Sequence, residues 1–464
     1  MITTQEDIKA LEGKGIFFIP AGHEFGVSDD KAVQLVYAPL AGRSFLVKGN
    51  EVPAMQKKLR SLLEAGIDVT PEKEPLSVLF AEESLQKWLN YAIEPEDCQN
   101  LTILPNHRCN FNCTYCYSAG GRSGAELRSE QIIALATWTL KNCAQKKQSC
   151  RILFLGGGEP LLSWDIMKDS IQKIQAISKE LGAEVVFSAS TNGSLLTADK
   201  IEFIRENNIS LQVSFEVLED IQNLQRGHYD LVHNNVCAAL DAGIALGLHS
   251  VITTENVDRM VEVVQCAHER YPSLPKLGLE PVVDNETLPD SASAAQFYNR
   301  YYDNYLEAEK LCREYGIELL NANSKNTDQV RTHYCAGQIV LTPQGTFSAC
   351  EAISSPKEAG YNEFIFGKVN ENNEITFDEE AFRRIRPPHP GFCRDKCDSC
   401  WARWICGGGC AYKRRTLPPD VFDEYCNLSR RMMLHTLANK LRAEHNRTTT
   451  GDSLDDIVKK LFGK

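Results

Sequence analysis

Three cysteines, Cys109, Cys113 and Cys116, follow one another with the spacing C-x3-C-x2-C. Three thiolates can hold three corners of a four-iron cube, which leaves one iron without a protein ligand. A small molecule can be chelated and reduced at such an open iron. Zinc is the alternative, with His107 as a fourth ligand of a closed site, but a gap of three residues between the first two cysteines is unusual for zinc. The spacing therefore favours an iron–sulfur cluster.

A second group of cysteines occupies the C-terminal third of the chain. Eight thiolates are too many for one mononuclear site and suit two polynuclear ones, with a pair of zinc-ribbon sites as the alternative. The other six cysteines stand singly, and we expect them to be small buried apolar residues. The second group comprises Cys335, Cys350, Cys393, Cys397, Cys400, Cys406, Cys410 and Cys426, and the single cysteines are Cys98, Cys143, Cys150, Cys237, Cys266 and Cys312.

The elements that position the first group alternate between strands and helices over residues 100 to 320. Such repeats predict parallel strands with right-handed crossovers, in an open or closed β/α barrel of six units. Loops after the carboxyl ends of barrel strands carry the chemistry. The cysteine loop and a turn at 156–160 (GGGEP) each follow a predicted strand, so both should face the same mouth. The predicted strands are Asn100–Pro105, Arg151–Leu155, Glu184–Ser190, Ile209–Phe215, Leu248–Thr253 and Lys276–Val283.

The flanking regions have different patterns. Residues 1–95 predict a small α+β unit with strands at Gly15–Pro20 and Ala32–Tyr37 and helices at Val52–Ala65 and Pro75–Tyr91. A β-hairpin is predicted around the turn Gln344-Gly345. We expect domains at 1–95, 96–320 and 321–445, and a tail at 446–464 that forms at most a loosely held helix.

Composition narrows the function classes. The chain has 464 residues and a formal net charge of −12, and its scattered basic residues disfavour a nucleic-acid partner. The N-terminal residues lack the layout of a signal peptide, and no apolar run is long enough to cross a membrane. We expect a cytoplasmic protein without a membrane partner, whose reduced thiols are available to metals.

With these motifs in place, residues 100–320 resemble the radical S-adenosylmethionine (SAM) superfamily. The cysteine loop matches the superfamily signature, including an aromatic residue before the third cysteine that in relatives lies against the adenine of SAM. The glycine-rich turn matches the GGEP motif, which in relatives binds the amino group of SAM. One departure is that relatives commonly have Ser-Leu-Asp-Gly where this chain has Ser-Phe-Glu-Val at 214–217. The resemblance assigns SAM binding to Tyr115, Gly157, Gly158, Glu159, Pro160, Ser190, Asn192, Ser214 and Arg226.

The later cysteines resemble the SPASM extension, the auxiliary-cluster domain of peptide- and protein-modifying radical SAM enzymes. The resemblance implies three 4Fe-4S clusters, one that binds SAM and two auxiliary ones. Cys393 completes the inner cluster, or that cluster keeps an open iron. Glu351 lies where some relatives place a carboxylate that takes a substrate proton, although a solvated glutamate is an equal alternative. The implied ligands are Cys335, Cys350 and Cys410 for the inner auxiliary cluster and Cys397, Cys400, Cys406 and Cys426 for the outer one.

The resemblance implies an enzyme that cleaves SAM to a 5′-deoxyadenosyl radical and abstracts hydrogen from a peptide or protein. The first hypothesis is a maturase that forms an intramolecular thioether or carbon–carbon cross-link in a ribosomally made precursor. In it, residues 1–95 resemble a winged-helix-like leader-recognition domain. The second hypothesis is a sulfatase-maturase-like side-chain dehydrogenase, and the third is a non-enzymatic metal-binding scaffold. Both enzymes would need an external electron donor of the flavodoxin or ferredoxin type.

Overall fold

The fold comes from a computed structural model. It describes residues 5–65, 74–283, 287–323, 327–335, 337–387, 395–449 and 451–462. Within these ranges, no helix is both long and apolar enough to cross a lipid bilayer.

The N-terminal unit is a three-stranded antiparallel sheet with helices before and after it. Residues alternate between its two faces, as expected of strands. Val36 and Val47 on one face pack against Leu59 of a flanking helix. The region predicted as one helix over Pro75–Tyr91 is instead a short 3-10 turn followed by a helix, and Pro75 at the start of the turn has no amide hydrogen to donate. The elements are α1 (Gln5–Gly13), β1 (Phe17–Pro20), β2 (Val33–Ala38), β3 (Arg43–Lys48), α2 (Val52–Glu64) and α3 (Glu82–Leu89).

The central part is the predicted run of β/α units, and its strands pair in parallel in chain order. The structure adds a seventh strand and a short helix that the sequence pattern did not predict. The strands are β4 (Asn100–Ile103), β5 (Cys150–Phe154), β6 (Val185–Thr191), β7 (Ser210–Ser214), β8 (Leu246–Ile252), β9 (Lys276–Pro281) and β10 (Glu318–Leu320). The helices are α4 (Ser129–Lys146), α5 (Trp164–Leu181), α6 (Ala198–Glu206), α7 (Glu219–Gln225), α8 (Tyr229–Asp241), α9 (Met260–Arg270) and α10 (Ser291–Tyr315).

The C-terminal part extends this sheet rather than forming a separate one. Its first strand pairs in parallel with β4, and the predicted hairpin follows, with Gly345 at φ +75° in the turn. In the part of the chain that the structure describes, the sheet is open. Strand β10 forms one edge of the sheet, and the strand Ile375–Phe377 forms the other. The elements are β11 (Gln338–Leu341), β12 (Thr346–Ser348), α11 (Tyr361–Phe364), β13 (Ile365–Val369), β14 (Ile375–Phe377), α12 (Glu379–Ile385), α13 (Asp395–Asp398), α14 (Arg403–Cys406), α15 (Ala411–Thr416), α16 (Pro419–Thr448) and α17 (Leu454–Phe462).

The second face of the N-terminal sheet packs on the cysteine-rich region. Trp404 in α14 is fully buried, in one apolar cluster with Leu35 of β2 and Leu437 of α16. Val458 of α17 belongs to the same cluster, so residues 454–462 form a packed helix, where the prediction was a loosely held helix or tail. The two ends of the chain therefore share one core beside the later cysteines.

Candidate functional site

The loop after β4 brings the three cysteines of the first group together. Burial raises the pKa of Cys109 and of Cys113, and the neighbouring cysteine thiolates raise it further. A thiol in this environment needs a bound cation beside it to ionise. Among the described residues, no three His, Cys, Asp or Glu side chains converge tightly enough to hold a metal ion. Three half-buried thiols on one loop suit a four-iron cluster, which can take three cysteine ligands and leave one iron open.

His107, the other candidate ligand, is occupied elsewhere. Its Nδ1 lies 3.0 Å from the hydroxyl of Ser123 and its Nε2 lies 3.2 Å from that of Ser354. Burial, followed by the charge of Lys357, lowers the pKa of His107 to about 4. The imidazole therefore joins the cysteine loop to the segment after the hairpin, and both of its nitrogens are in use.

The glycine-rich turn after β5 packs directly on the cysteine loop. A Cβ on Gly158 would lie 1.9 Å from the carbonyl oxygen of Arg108, and one on Gly157 would lie 2.5 Å from the ring of His107. Asn106, which is fully buried, donates to the carbonyl oxygen of Glu159 at 3.1 Å. The glycines are needed because loop and turn touch, and the prediction that both face one mouth of the barrel is confirmed.

Protein donors surround the carboxylate of Glu159. The hydroxyl of Thr191 donates to it at 2.6 Å, and the backbone amides of Asn192 and Leu161 donate at 2.7 and 3.1 Å. Burial raises the pKa of Glu159, and these hydrogen bonds act in the opposite direction. Asn192 in turn donates to the side chain of Asn110 in the cysteine loop at 2.9 Å. The end of β6 is thereby fixed to both the turn and the loop.

A buried network holds the aromatic ring of the cysteine loop. Tyr115 donates its hydroxyl hydrogen to Glu216 and accepts a hydrogen bond of 2.8 Å from Arg226. The carboxylate of Glu216 also accepts from the hydroxyl of Ser250 at 2.6 Å and lies 4.0 Å from the guanidinium of Arg226. Val217 has φ +67°, in the left-handed region that favours glycine. A residue with a β-branched side chain is strained in this region, so the network around Glu216 holds the loop in a conformation that glycine would adopt more easily.

Two separate groups form among the later cysteines. Burial raises the pKa of Cys335 to about 12, and the nearby Cys410 adds to the shift. Burial likewise raises the pKa of Cys406 to about 12, with further contributions, in order, from Cys426, Cys400 and Cys397. Cys350 belongs with Cys335 and Cys410, and Cys393 lies outside the described residues. The grouping agrees with the expected inner and outer ligand sets, whose roles as ligands stay predictions.

One cavity of about 530 Å³ joins the first cysteine group to the inner one. Glu351 lines it and accepts a hydrogen bond of 3.0 Å from Gln338. Every residue to which the resemblance assigned SAM binding also lines this cavity, and so does Lys413, beside the inner group. Sequence reasoning missed Asn106, Asn110 and Gln338, whereas Thr191 belongs to the polar stretch 188–193 that the resemblance had already placed near SAM. Of these, the asparagines inside and beside the cysteine loop were the only visible signal.

Comparisons with known proteins agree with this geometry. Residues 103–267 match the Radical SAM superfamily. A cysteine-type anaerobic sulfatase-maturating enzyme of Clostridium novyi is 21% identical over 347 residues, which cover 69% of this chain and 89% of that protein. A probable GTP 3′,8-cyclase of Sulfurisphaera tokodaii is 25% identical over 316 residues, which cover 63% and 94%.

A solved structure has a similar fold. It is native anSMEcpe with bound AdoMet and the Cp18Cys peptide, at a TM-score of 0.56 and 17% identity. The match covers 74% of this chain and 99% of that one. Because residues 103–267 match the Radical SAM superfamily, the chain contains a radical SAM domain and is an enzyme that uses SAM radical chemistry.

Proposed function

We propose that the chain is a maturase that abstracts hydrogen from a ribosomally made precursor peptide and forms an intramolecular cross-link in it. The observation that carries the proposal is the shared cavity. It is lined at one end by Cys109, Cys113 and Cys116 and at the other by Cys335, Cys350 and Cys410. A peptide side chain in this space would contact both the SAM site and the inner auxiliary site. Closing a ring after hydrogen abstraction releases one electron and one proton, and a cluster held by the inner cysteine group would supply an acceptor for the electron beside the substrate.

The proposed cofactors are SAM and three 4Fe-4S clusters. The first, the inner and the outer cysteine groups would each hold one cluster. A cluster bound by the first group would supply the electron that cleaves SAM to methionine and a 5′-deoxyadenosyl radical. The chain's own residues bind and orient. Tyr115 would lie against the adenine of SAM, and Arg226 would bind the carboxylate of SAM. Glu159 would fix the turn that binds the amino group of SAM. The walls of the cavity would keep water from the radical.

The N-terminal unit supports a precursor that carries a leader. The unit has the edge strands β1 and β3 within the described residues, and an edge strand can accept a peptide as an added strand. One face of its sheet packs on Trp404, which lies between two cysteines of the outer group. A leader bound to this unit would therefore be anchored close to the cysteine-rich region.

Coexpression with short open reading frames that neighbour the gene tests the proposal. Mass spectrometry should find one encoded peptide two hydrogen atoms lighter for each modification, and fragmentation should locate a cross-link between two residues. Cys113→Ala should abolish the change and lower bound iron, while Cys237→Ala, which removes a single half-buried cysteine outside the three groups, should keep both. Unchanged peptide mass with inverted stereochemistry, or no 5′-deoxyadenosine from reconstituted protein, would refute the proposal.

A sulfatase-maturase-like dehydrogenase is the second candidate, and Glu351 favours it. Its carboxylate lines the cavity, and after burial and the neighbouring cysteines its charge adds to the rise in the pKa of Cys335 and Cys350. A base at this position could take the proton released when a Ser or Cys side chain is oxidised. Incubation with a sulfatase-derived peptide that contains a target cysteine separates the candidates. An aldehyde, trapped with a hydrazide, identifies the dehydrogenase, whereas a cross-linked fragment identifies the first candidate.

A further inference from the structure

A buried arginine lies behind the inner cysteine group. Arg386, which directly follows α12, is only 4% exposed. Its guanidinium donates to the carbonyl oxygen of Gln338 at 2.5 Å and to that of Cys335 at 3.4 Å. Cys335 and Gln338 line the shared cavity, whereas Arg386 does not belong to the lining. The positive charge therefore lies behind the wall of the cavity, where a substrate does not contact it.

The surroundings of this guanidinium are apolar or neutral. The centres of the Phe366 and Phe382 rings lie 5.5 and 5.0 Å from its Cζ. The Sγ of Cys98 accepts a third hydrogen bond at 3.6 Å, but burial raises the pKa of this thiol, which therefore carries no negative charge in the neutral range. In the described part of the chain, no carboxylate lies within ion-pair distance of Arg386. A buried cation with only neutral partners is costly, so the arrangement indicates an anion beside it.

A second arginine lies near the same group. Burial lowers the pKa of Arg331, and the neighbouring side chains act in the opposite direction, in the order Tyr334, Cys335 and Cys406. Cys335 belongs to the inner group and Cys406 to the outer one, so this guanidinium is close to both. The backbone amide of Arg331 donates to the carbonyl oxygen of Trp404 at 2.7 Å, which fixes this segment to the outer group. Among the residues that the structure describes, Arg331 has no ion pair with a carboxylate either.

We propose that Arg386, together with Arg331, raises the reduction potential of the 4Fe-4S cluster that the inner group would hold. The proposal rests on the proposed function, which assigns an electron acceptor to this group. When the ring closes, the substrate radical is oxidised by one electron and releases one proton to a carboxylate or to water, and the cluster is reduced by that electron. Thiolate ligands make the cluster anionic, and reduction adds a further negative charge. A buried cation therefore stabilises the reduced form more than the oxidised form.

Substitutions that separate charge from hydrogen bonding test the proposal in the reconstituted full-length protein. Arg386→Lys keeps the positive charge, whereas Arg386→Gln keeps an amide donor without the charge. Arg331→Gln gives the same test if Arg386→Gln does not fold, because the guanidinium of Arg331 has no hydrogen-bond partner among the described residues. Arg384→Gln is the matched control, since it removes an exposed arginine from α12. Redox titration followed by electron paramagnetic resonance gives the midpoint potentials, and the signal of the inner cluster is the one that Cys335→Ala removes.

At a fixed potential, we expect Arg386→Gln to lower the ratio of reduced to oxidised inner cluster roughly tenfold, which for one electron is a shift of about 59 mV. Arg331→Gln should shift the potential in the same direction, while Arg386→Lys and Arg384→Gln should stay close to the wild type. Unchanged potentials in both glutamine variants would overturn the proposal. Equal shifts in Arg386→Gln and Arg386→Lys would also overturn it, because they would indicate a structural role. If Cys335→Ala removes no iron–sulfur signal, the inner group holds no cluster, and that result would instead contradict the proposed function.

Discussion

The backbone amide of Glu159 donates a hydrogen bond of 2.7 Å to the carbonyl oxygen of Arg108. This contact joins the glycine-rich turn to the cysteine loop one residue before Cys109. It exists only because Gly158 has no side chain, since a Cβ there would lie 1.9 Å from the same carbonyl oxygen. The first cysteine group and the turn are therefore one structural unit.

Gly158→Ala should separate the turn from the loop. We expect the variant protein to bind about four fewer iron atoms per chain and to form no 5′-deoxyadenosine, while the later cysteine groups keep their iron. Gly124→Ala is the control, because nothing lies within 4 Å of the Cβ that it would add. Iron analysis and electron paramagnetic resonance check both variants. A Gly158→Ala protein with a full iron complement would show that the contact is dispensable.

Tyr115→Phe should weaken SAM binding without loss of iron. The change removes the hydroxyl that joins Glu216 to Arg226, and we expect the Kd of SAM to rise roughly three- to tenfold. Tyr361→Phe removes a comparable hydroxyl, which lies 2.6 Å from Thr346 and outside the cavity, and it should leave the Kd unchanged. Equilibrium binding of SAM to anaerobic protein measures both, and equal Kd values would remove Tyr115 from the SAM site.

The spacing of the cysteines and the alternation of strands and helices predicted the part of the site that lies in loops directly after strands. The cysteine loop after β4 and the turn after β5 are adjacent because parallel strands end at one edge, a general property that needs no knowledge of distant contacts. The network around Glu216 could not be predicted in this way, because its partners Ser250 and Tyr115 come from other units of the barrel. The same holds for Trp404, which lies between two cysteines in the sequence and is buried against the N-terminal sheet.

The junction between the two ends of the chain should be sensitive to pH. His435 in α16 lies 2.9 Å from Glu24 of the N-terminal unit and 2.9 Å from Glu309 of α10. Burial alone would lower the pKa of His435, but the two carboxylates outweigh burial and raise it to about 9. Burial would raise the pKa values of Glu24 and Glu309, but their bonds to His435 lower both. The junction is therefore fully charged in the neutral range.

The direction of this pH dependence follows from the raised pKa of His435. An imidazole that titrates near 6.5 when unfolded and near 9 when folded stabilises fully below the first value and loses that effect as the pH rises through the second. The free energy of unfolding should fall by roughly 3 kcal/mol across this interval. His435→Gln should flatten the dependence, whereas His445→Gln, which changes a half-buried histidine on the same helix, should keep it. Thermal unfolding between pH 6 and about 9.5 measures the stability of the wild type and of both variants. Parallel profiles for the wild type and His435→Gln would contradict this assignment.

Glu351→Gln should separate SAM cleavage from product formation. The amide keeps the size of the side chain and its position beside Gln338, but it cannot accept a proton from substrate. If Glu351 is the base, 5′-deoxyadenosine should still form, while modified peptide falls by roughly a hundredfold or more. Glu371→Gln changes an exposed carboxylate between β13 and β14 and should alter neither product. Parallel quantification of 5′-deoxyadenosine and of peptide by mass spectrometry gives the ratio of the two. Equal loss of both in Glu351→Gln would place the residue in SAM binding, and equal retention would make it a wall of the cavity with no part in proton transfer.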